Sequence, residues 1–236
     1  MGWHALEITS EALRGNPLGD PHVRPLHVWA PEGDGPFPSV YVIQGMTGMV
    51  ESWFNTAPFV PSFPDEIARL SPDAVVVLVD AFTAYGGSQF VDSPGTGKYH
   101  TYLCDEVVPF VDERFPTLDA PEHRGIQGKS SGGYGAMITP MLRPDLFGGL
   151  ATHAGDAVFE ACYQLEFPAA ARALRDKYDG SFDRFWESFR SRPAWSDRDD
   201  PVLMNVYAMA ACYSANADGT IDLPFDTETG ELRPDV

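Results

Sequence analysis

The sequence predicts an α/β fold with a mainly parallel sheet and flanking helices, and two observations lead to this prediction. Short apolar runs alternate along the chain with segments whose apolar residues recur at helical spacing, as in strands joined by crossover helices. One run, Val75–Val79, is apolar at every position, which is typical of a central parallel strand covered on both faces. The 236 residues are enough for one large domain, or for one domain with a cap.

Five apolar runs are predicted to be strands, and the segments between them supply the helices. A helix is predicted over Tyr99–Phe115, with a kink at Pro109, because its apolar residues have helical spacing. A second helix is predicted over Gly132–Leu142, where Pro144 closes it. The five predicted strands are Leu26–Ala30, Ser39–Gln44, Val75–Asp80, Arg124–Gln127 and Gly149–His153.

The composition of the chain changes near residue 155. The C-terminal part is aromatic and charged, with helical patches at Phe182–Arg190 and Leu203–Cys212 and no valine-rich run. The last stretch, Ile221–Val236, is predicted to be loop. We therefore predict that residues 1–155 form the α/β core and that residues 156–236 form a helical cap or insertion.

Charge and cysteine content disfavour several classes of partner and site. The chain has 16 basic and 34 acidic residues, a formal net charge of −18, so nucleic acid and anionic membrane surfaces are not expected as partners. Its three cysteines, Cys104, Cys162 and Cys212, form no C-x-x-C motif, which disfavours both a disulfide framework and a zinc site. No clustered ligand set suggests a metal, and the chemistry considered below needs no cofactor. The start of the chain lacks a signal-peptide pattern, so we expect a cytoplasmic protein.

The sharpest local motif is Gly128–Gly132, with the sequence Gly-Lys-Ser-Ser-Gly. It fits the G-x-S-x-G pattern of a nucleophile elbow and lies between a predicted strand and a predicted helix, as that motif requires. We predict Ser130 as the nucleophile, because the alternative frame centred on Ser131 lacks the leading glycine. A phosphate-binding P-loop is excluded, because His123 occupies the position of its first glycine.

A second oxyanion donor is predicted in the loop Gln44–Gly48. Where a serine occupies this kind of turn, the second backbone donor comes from the loop that follows the third strand. We predict the Met46 N–H as that donor, with Gly45 allowing the close approach that it needs. An ordinary glycine turn is the alternative interpretation of these residues.

Three further stretches carry a family resemblance together with the elbow: Gly15–Asp20, Tyr85–Phe90 and Gly148–Gly155. With these motifs in consistent order over residues 5–165, the sequence resembles the "Putative esterase" family of α/β-hydrolases. This family includes S-formylglutathione hydrolase (esterase D), enterochelin esterase and the mycolyltransferases. The resemblance implies the α/β-hydrolase fold and a Ser-His-acid triad acting on small-molecule carboxylic esters or thioesters.

By the motif match, the resemblance also implies a role for individual residues. Ser130 would form an acyl-enzyme, and the N–H groups of Ser131 and Met46 would bind the oxyanion. The segment Ala157–Val236 resembles the cap that such enzymes carry between their sixth and seventh strands.

The sequence departs from this family in its histidines. The family places its acid and then its histidine after the last two strands of the sheet, but His153 is the one histidine that follows Ser130. No seventh or eighth strand is predicted, so we expect the chain to be the N-terminal part of a longer esterase. His153, at the end of a predicted strand, is the candidate base, and Asp156 is the candidate acid. The other histidines, predicted to be exposed or capping residues, are His4, His22, His27, His100 and His123.

Three functions are consistent with these residues. The first is a serine esterase, and the second is an acyltransferase of the same fold, in which an alcohol replaces the hydrolytic water. The third is a catalytically incomplete hydrolase that binds a ligand or a partner through the same pocket. A sheet that lacks its last strands has an open edge, which predicts pairing with another chain or formation of a homo-oligomer.

Overall fold

A six-stranded sheet forms the centre of the first of two units into which the chain divides. The computed structural model describes residues 1–193 and 195–236. Each unit is compact in itself. The first, called the core unit below, comprises Met1–Asp92 and Gly97–Gly155, and the second comprises Ser93–Thr96 and Asp156–Val236.

The sheet is mainly parallel, as predicted. In spatial order its strands are β1-β2-β4-β3-β5-β6; β1, β2 and β4 pair antiparallel, and β4, β3, β5 and β6 pair parallel. All five predicted strands are present, although β2 begins three residues earlier than predicted. The strand bounds are β1 Gly2–Thr9, β2 Val23–Ala30, β3 Ser39–Ile43, β4 Val75–Val79, β5 Arg124–Lys129 and β6 Gly149–His153.

The two edge strands differ from the predictions in different ways. β1 was not predicted, because Gly2–Thr9 mixes polar and apolar residues and contains no continuous apolar run. His22 lies in a bend before β2. β6 forms the other edge and every one of its residues is exposed. No strand follows β6 in the part of the C-terminal region that the structure describes, and pairing of this edge with another chain stays a prediction.

The apolar run Val75–Val79 is the central strand that its composition predicts. All five residues are buried, and alternate side chains enter two different clusters on the two faces of the sheet. Val77 packs with a large cluster that includes Tyr41 and Tyr102, whereas Leu78 packs with a smaller cluster around Trp29. Burial of such side chains stabilises the fold by about 1.5–3 kcal/mol each.

Both helices predicted in the core unit are present, one of them with a correction, whereas the helix Phe63–Leu70 was not predicted. The helix predicted over Tyr99–Phe115 ends at Asp112, and its irregularity is a π-helical turn, Tyr102–Val107, rather than a kink centred on Pro109. Proline has no N–H and crowds the preceding turn of an α-helix, and the wider π-turn lies directly before it. Two helices border the motifs discussed below: α1, Phe63–Leu70, and α3, Ser131–Leu142, with the helix over 99–112 numbered α2.

The second unit is helical in its described residues. Both predicted helices are present and slightly longer than expected, but the helix Phe167–Tyr178 was missed, because most of its buried positions are alanines that give a weak apolar pattern. Residues 214–236 form turns and isolated β-bridges, in agreement with the predicted loop. Among the helices described in the chain, none combines the length and apolar character needed to cross a bilayer. The helices of this unit are Phe159–Cys162, Phe167–Tyr178, Phe182–Ser191 and Asp200–Tyr213.

Candidate active site

Ser130 occupies a sharp turn between β5 and α3. Its backbone has φ 55° and ψ −125°, a conformation that residues other than glycine rarely adopt and that costs about 1–3 kcal/mol. Two hydrogen bonds hold the turn: the Ser130 N–H donates to the His153 carbonyl (3.0 Å), and the Tyr134 N–H donates to the Ser130 carbonyl (2.9 Å). The turn is therefore fixed to the end of β6 on one side and to the first turn of α3 on the other.

Two glycines allow strand and helix to approach each other at this turn. A Cβ atom on Gly128 would lie 2.2 Å from the carbonyl oxygen of Gly132, and one on Gly132 would lie 2.5 Å from the carbonyl oxygen of Ile43. Both neighbours are backbone atoms that cannot move without displacing a strand or a helix. The two glycines of the G-x-S-x-G motif thus lie where the close approach of strand and helix requires them.

The loop Gln44–Gly48 lies directly against the Ser130 turn. A Cβ atom on Gly45 would be 2.9 Å from the Lys129 carbonyl oxygen and 3.3 Å from the Ser130 Cβ, so only glycine allows this contact. The next residue in the loop is Met46, the predicted oxyanion donor. The structure therefore brings the two segments of the predicted oxyanion hole, which are more than 80 residues apart in sequence, side by side.

These segments border a cleft of about 800 Å³ at the carboxyl ends of β3, β5 and β6. This volume lies within the range of small-molecule sites. One wall is aromatic, because the rings of Trp53 and Phe63 pack with their centroids 4.7 Å apart. The polar residues on its surface include Gln44, Ser52, Gln127, Lys129, Ser130, Thr152 and His153.

The structure brings the predicted site residues of the core unit together. His153 ends β6, is exposed, and lines the same cleft as Ser130, Gly45 and Met46. Ser131 is buried as the first residue of α3. The predicted base and acid belong to different units.

Asp156 has its described contact in the second unit. There its carboxylate accepts a hydrogen bond from the Tyr163 hydroxyl (3.0 Å). Burial, together with the nearby Asp156 carboxylate, raises the pKa of the Tyr163 hydroxyl. A triad role for Asp156 stays a prediction.

A buried ion pair in the core unit was not predicted from the sequence. Asp80, which follows β4, pairs with Arg24 on β2, and both side chains are almost completely buried. Asp80 also accepts a hydrogen bond from the Val50 N–H (3.1 Å), which holds the short helix that follows the Gln44–Gly48 loop. Burial raises the pKa of Asp80, while the charge of Arg24 opposes that rise. An acidic residue at the end of a wholly apolar strand is the sequence signal for a buried ion pair here, but it does not identify Arg24 as the partner of Asp80.

No metal site is evident among residues 1–193 and 195–236, where no three His, Cys, Asp or Glu side chains are grouped to hold an ion. The three cysteines are free thiols, and burial raises the pKa of Cys104 and of Cys212 to about 12. Such thiols are poor nucleophiles and metal ligands near neutral pH.

A family model and several known proteins are similar to this chain. A family model described as "Putative esterase" matches residues 22–211. The uncharacterised protein YbbA of Bacillus subtilis (strain 168) is 24% identical over 139 residues, which cover 53% of this chain and 52% of that protein.

Similar solved structures include a ferulic acid esterase, 22% identical, with 61% of this chain and 54% of that chain covered and a TM-score of 0.49. They also include an S-formylglutathione hydrolase from Agrobacterium tumefaciens, 18% identical, with 61% and 55% covered and a TM-score of 0.48. The chain spans about half the length of these relatives.

Proposed function

Since the chain belongs to the Putative esterase family and has its α/β-hydrolase fold, we propose that it is a serine hydrolase that cleaves carboxylic esters or thioesters through an acyl-enzyme on Ser130. The observation that carries the proposal is the contact between the Ser130 turn and the Gln44–Gly48 loop at the wall of one cleft. This contact puts a nucleophile beside two backbone segments that can supply oxyanion donors.

In the proposed reaction the Ser130 Oγ attacks the ester carbonyl while its proton passes to a base. The resulting oxyanion accepts hydrogen bonds from the N–H groups of Ser131 and Met46, and the positive end of α3 adds to its stabilisation. Collapse of this intermediate releases the alcohol or thiol, which takes the proton from the base. Water then attacks the acyl-enzyme by the same route, which releases the acid and restores Ser130.

We extend the proposal to His153 as the base. Of the six histidines in the sequence, His153 is the one on the cleft wall, and its carbonyl already holds the backbone of Ser130. Imidazole is the side chain that most often performs this proton transfer.

The deciding experiment is labelling of the chain with a fluorophosphonate probe, followed by intact mass measurement and peptide mapping. We expect one adduct, on Ser130. Absence of an adduct on the folded chain would contradict the proposal that this chain has an assembled hydrolase site. His153→Ala, compared with His123→Ala at the exposed far end of β5, tests the base: slower labelling in the first variant alone supports His153, and equal labelling excludes it.

The aromatic wall favours an apolar acyl group in the substrate. We expect Trp53→Ala to lower kcat/KM for p-nitrophenyl octanoate about tenfold, because a long acyl chain loses contact with the ring, while p-nitrophenyl acetate changes less than about twofold. The matched control is Phe54→Ala, since the Phe54 ring packs on Trp3 and His27 instead. Equal losses on both esters would show that Trp53 supports the fold rather than the acyl group.

A further inference from the structure

A second loop, Thr83–Gly87, packs against the Gln44–Gly48 loop. The shape of the Thr83–Gly87 loop depends on one hydroxyl group. The Thr83 side chain is completely buried. Its Oγ1 donates to the Gly87 carbonyl (2.9 Å) and accepts from the N–H groups of Tyr85 (3.2 Å) and Gly87 (3.1 Å). The Thr83 carbonyl closes the same turn by accepting from the Gly86 N–H (2.8 Å). One threonine thus organises the backbone of the whole loop.

A short hydrogen bond joins this loop to the Gln44–Gly48 loop. The Thr47 N–H donates to the Gly86 carbonyl at 2.6 Å. Thr47 has φ 63°, a left-handed conformation that a β-branched residue rarely adopts, so the bond holds a strained residue in place. Thr47 follows Met46 directly, so its N–H belongs to the peptide group that joins the two residues. The orientation of this peptide group is therefore coupled to that of the Met46 N–H, the proposed oxyanion donor.

The two loops also fit closely together. Gly86 has φ 94°, and a Cβ atom there would lie 3.4 Å from the Met46 Cε and 3.6 Å from the Thr47 Cγ2. A Cβ atom on Gly87 would lie 3.5 Å from the Met46 Cα. Movement of the Thr83–Gly87 loop would therefore be transmitted directly to Met46.

The Thr83–Gly87 loop is itself anchored to the core. The Arg24 guanidinium, which pairs with the buried Asp80, also donates to the Phe82 carbonyl at the start of the loop. The Asp20 carboxylate accepts from the Ala84 N–H at 3.0 Å. These hydrogen bonds fix the position of the Thr83–Gly87 loop relative to the core.

We propose that Thr83 is a positioning residue for the oxyanion hole, which acts through Gly86 and Thr47 to hold the Met46 N–H toward Ser130. This inference rests on the proposed function, since it concerns the geometry of the same site. It predicts a loss of transition-state stabilisation without loss of substrate binding when the Thr83 hydroxyl is removed.

The test compares two substitutions at one position. Thr83→Val keeps the shape of the side chain but removes the hydroxyl, and Thr83→Ser keeps the hydroxyl. We expect Thr83→Val to lower kcat for p-nitrophenyl acetate about ten- to a hundredfold with KM changed less than about twofold, since loss of a whole donor costs about 10²–10³. Thr83→Ser should recover kcat to within about threefold. Equal kcat in the two variants, or a loss that appears in KM, would overturn the proposal.

A second measurement does not depend on activity. In Thr83→Val, amide hydrogen exchange at Thr47 should be at least about tenfold faster than in Thr83→Ser, while exchange at Val77 in β4 stays the same. If the chain carries no fluorophosphonate adduct, the proposed function fails, whereas the exchange comparison still decides whether Thr83 holds the loop. Unchanged exchange at Thr47 would overturn the positioning role.

Gly86→Ala provides an independent variant if Thr83→Val does not fold. It strains the backbone of the loop that contacts Met46, because Gly86 has φ 94°, so kcat should fall while KM is retained. Its control is Gly33→Ala, because Gly33 is exposed, has φ 107°, and a Cβ atom there would have its nearest contact at 3.6 Å, with the Phe37 ring. Equal kcat in the two glycine variants would contradict the coupling of the loops.

Discussion

Ser130→Ala is expected to abolish covalent labelling of the chain by a fluorophosphonate and to lower ester hydrolysis by at least about 10³-fold. The reason is chemical, because alanine has no oxygen to form the bond to phosphorus or to the acyl carbon. The measurement is the adduct mass and the second-order labelling rate, with circular dichroism to show that the variant is folded. The residual rate would report what the oxyanion donors and binding contribute without a nucleophile.

Ser131→Ala is the matched control for this substitution. Ser131 contributes its backbone N–H to the proposed oxyanion hole, and alanine retains that group, so we expect labelling within about threefold of the wild-type rate. Labelling that persists in Ser130→Ala and disappears in Ser131→Ala would reverse the assignment of the nucleophile. The pair therefore separates two serines that are adjacent in sequence.

Gly128→Ala is expected to destabilise the core unit by about 2–3 kcal/mol, at the upper end of the range for overpacked sites. The added Cβ would lie 2.2 Å from the carbonyl oxygen of Gly132, so β5 and α3 have to separate. The free energy of unfolding from urea denaturation measures the effect. Labelling at Ser130 should also slow, because the same displacement moves the turn.

Gly125→Ala lies in the same strand and provides the control. Its Cβ would meet its nearest neighbour, the Gly149 carbonyl oxygen, at 3.8 Å, an ordinary contact. We expect the free energy of unfolding to change by no more than about 0.5 kcal/mol, since substitutions that create no clash or strain have small effects. If both variants lost the same free energy, the close approach of strand and helix would not explain the glycine at position 128.

Local signals allowed much of the core unit to be predicted. The strand predicted over Val75–Asp80, observed over Val75–Val79, was predicted because a central parallel strand has to be apolar on both faces, and both faces are indeed buried. The strand-turn-helix around Ser130 was predicted because only glycines fit two residues to either side of such a turn. The edge strand Gly2–Thr9 and the helix Phe167–Tyr178 escaped prediction, since neither has a strong apolar period in its sequence.

Contacts between residues that are far apart in the sequence could not be predicted from local signals. Asp80 follows a wholly apolar strand, but its pairing with Arg24 depends on β2 lying next to β4, an order that no local pattern encodes. The bond between Thr47 and Gly86 likewise depends on two loops that are far apart in the chain.

The sequence by itself determined the type and order of the five apolar strands and the identity of the candidate nucleophile, because backbone sterics act over a few residues. They leave a recognisable spacing of glycines and apolar side chains. Only the tertiary structure decided that the Thr83–Gly87 loop packs against the Gln44–Gly48 loop, which in turn lies against the Ser130 turn. The physical reason is the strand order β4-β3-β5, which brings the carboxyl ends of three strands to one edge of the sheet. That order results from burial of the whole sheet and not from any single segment of the chain.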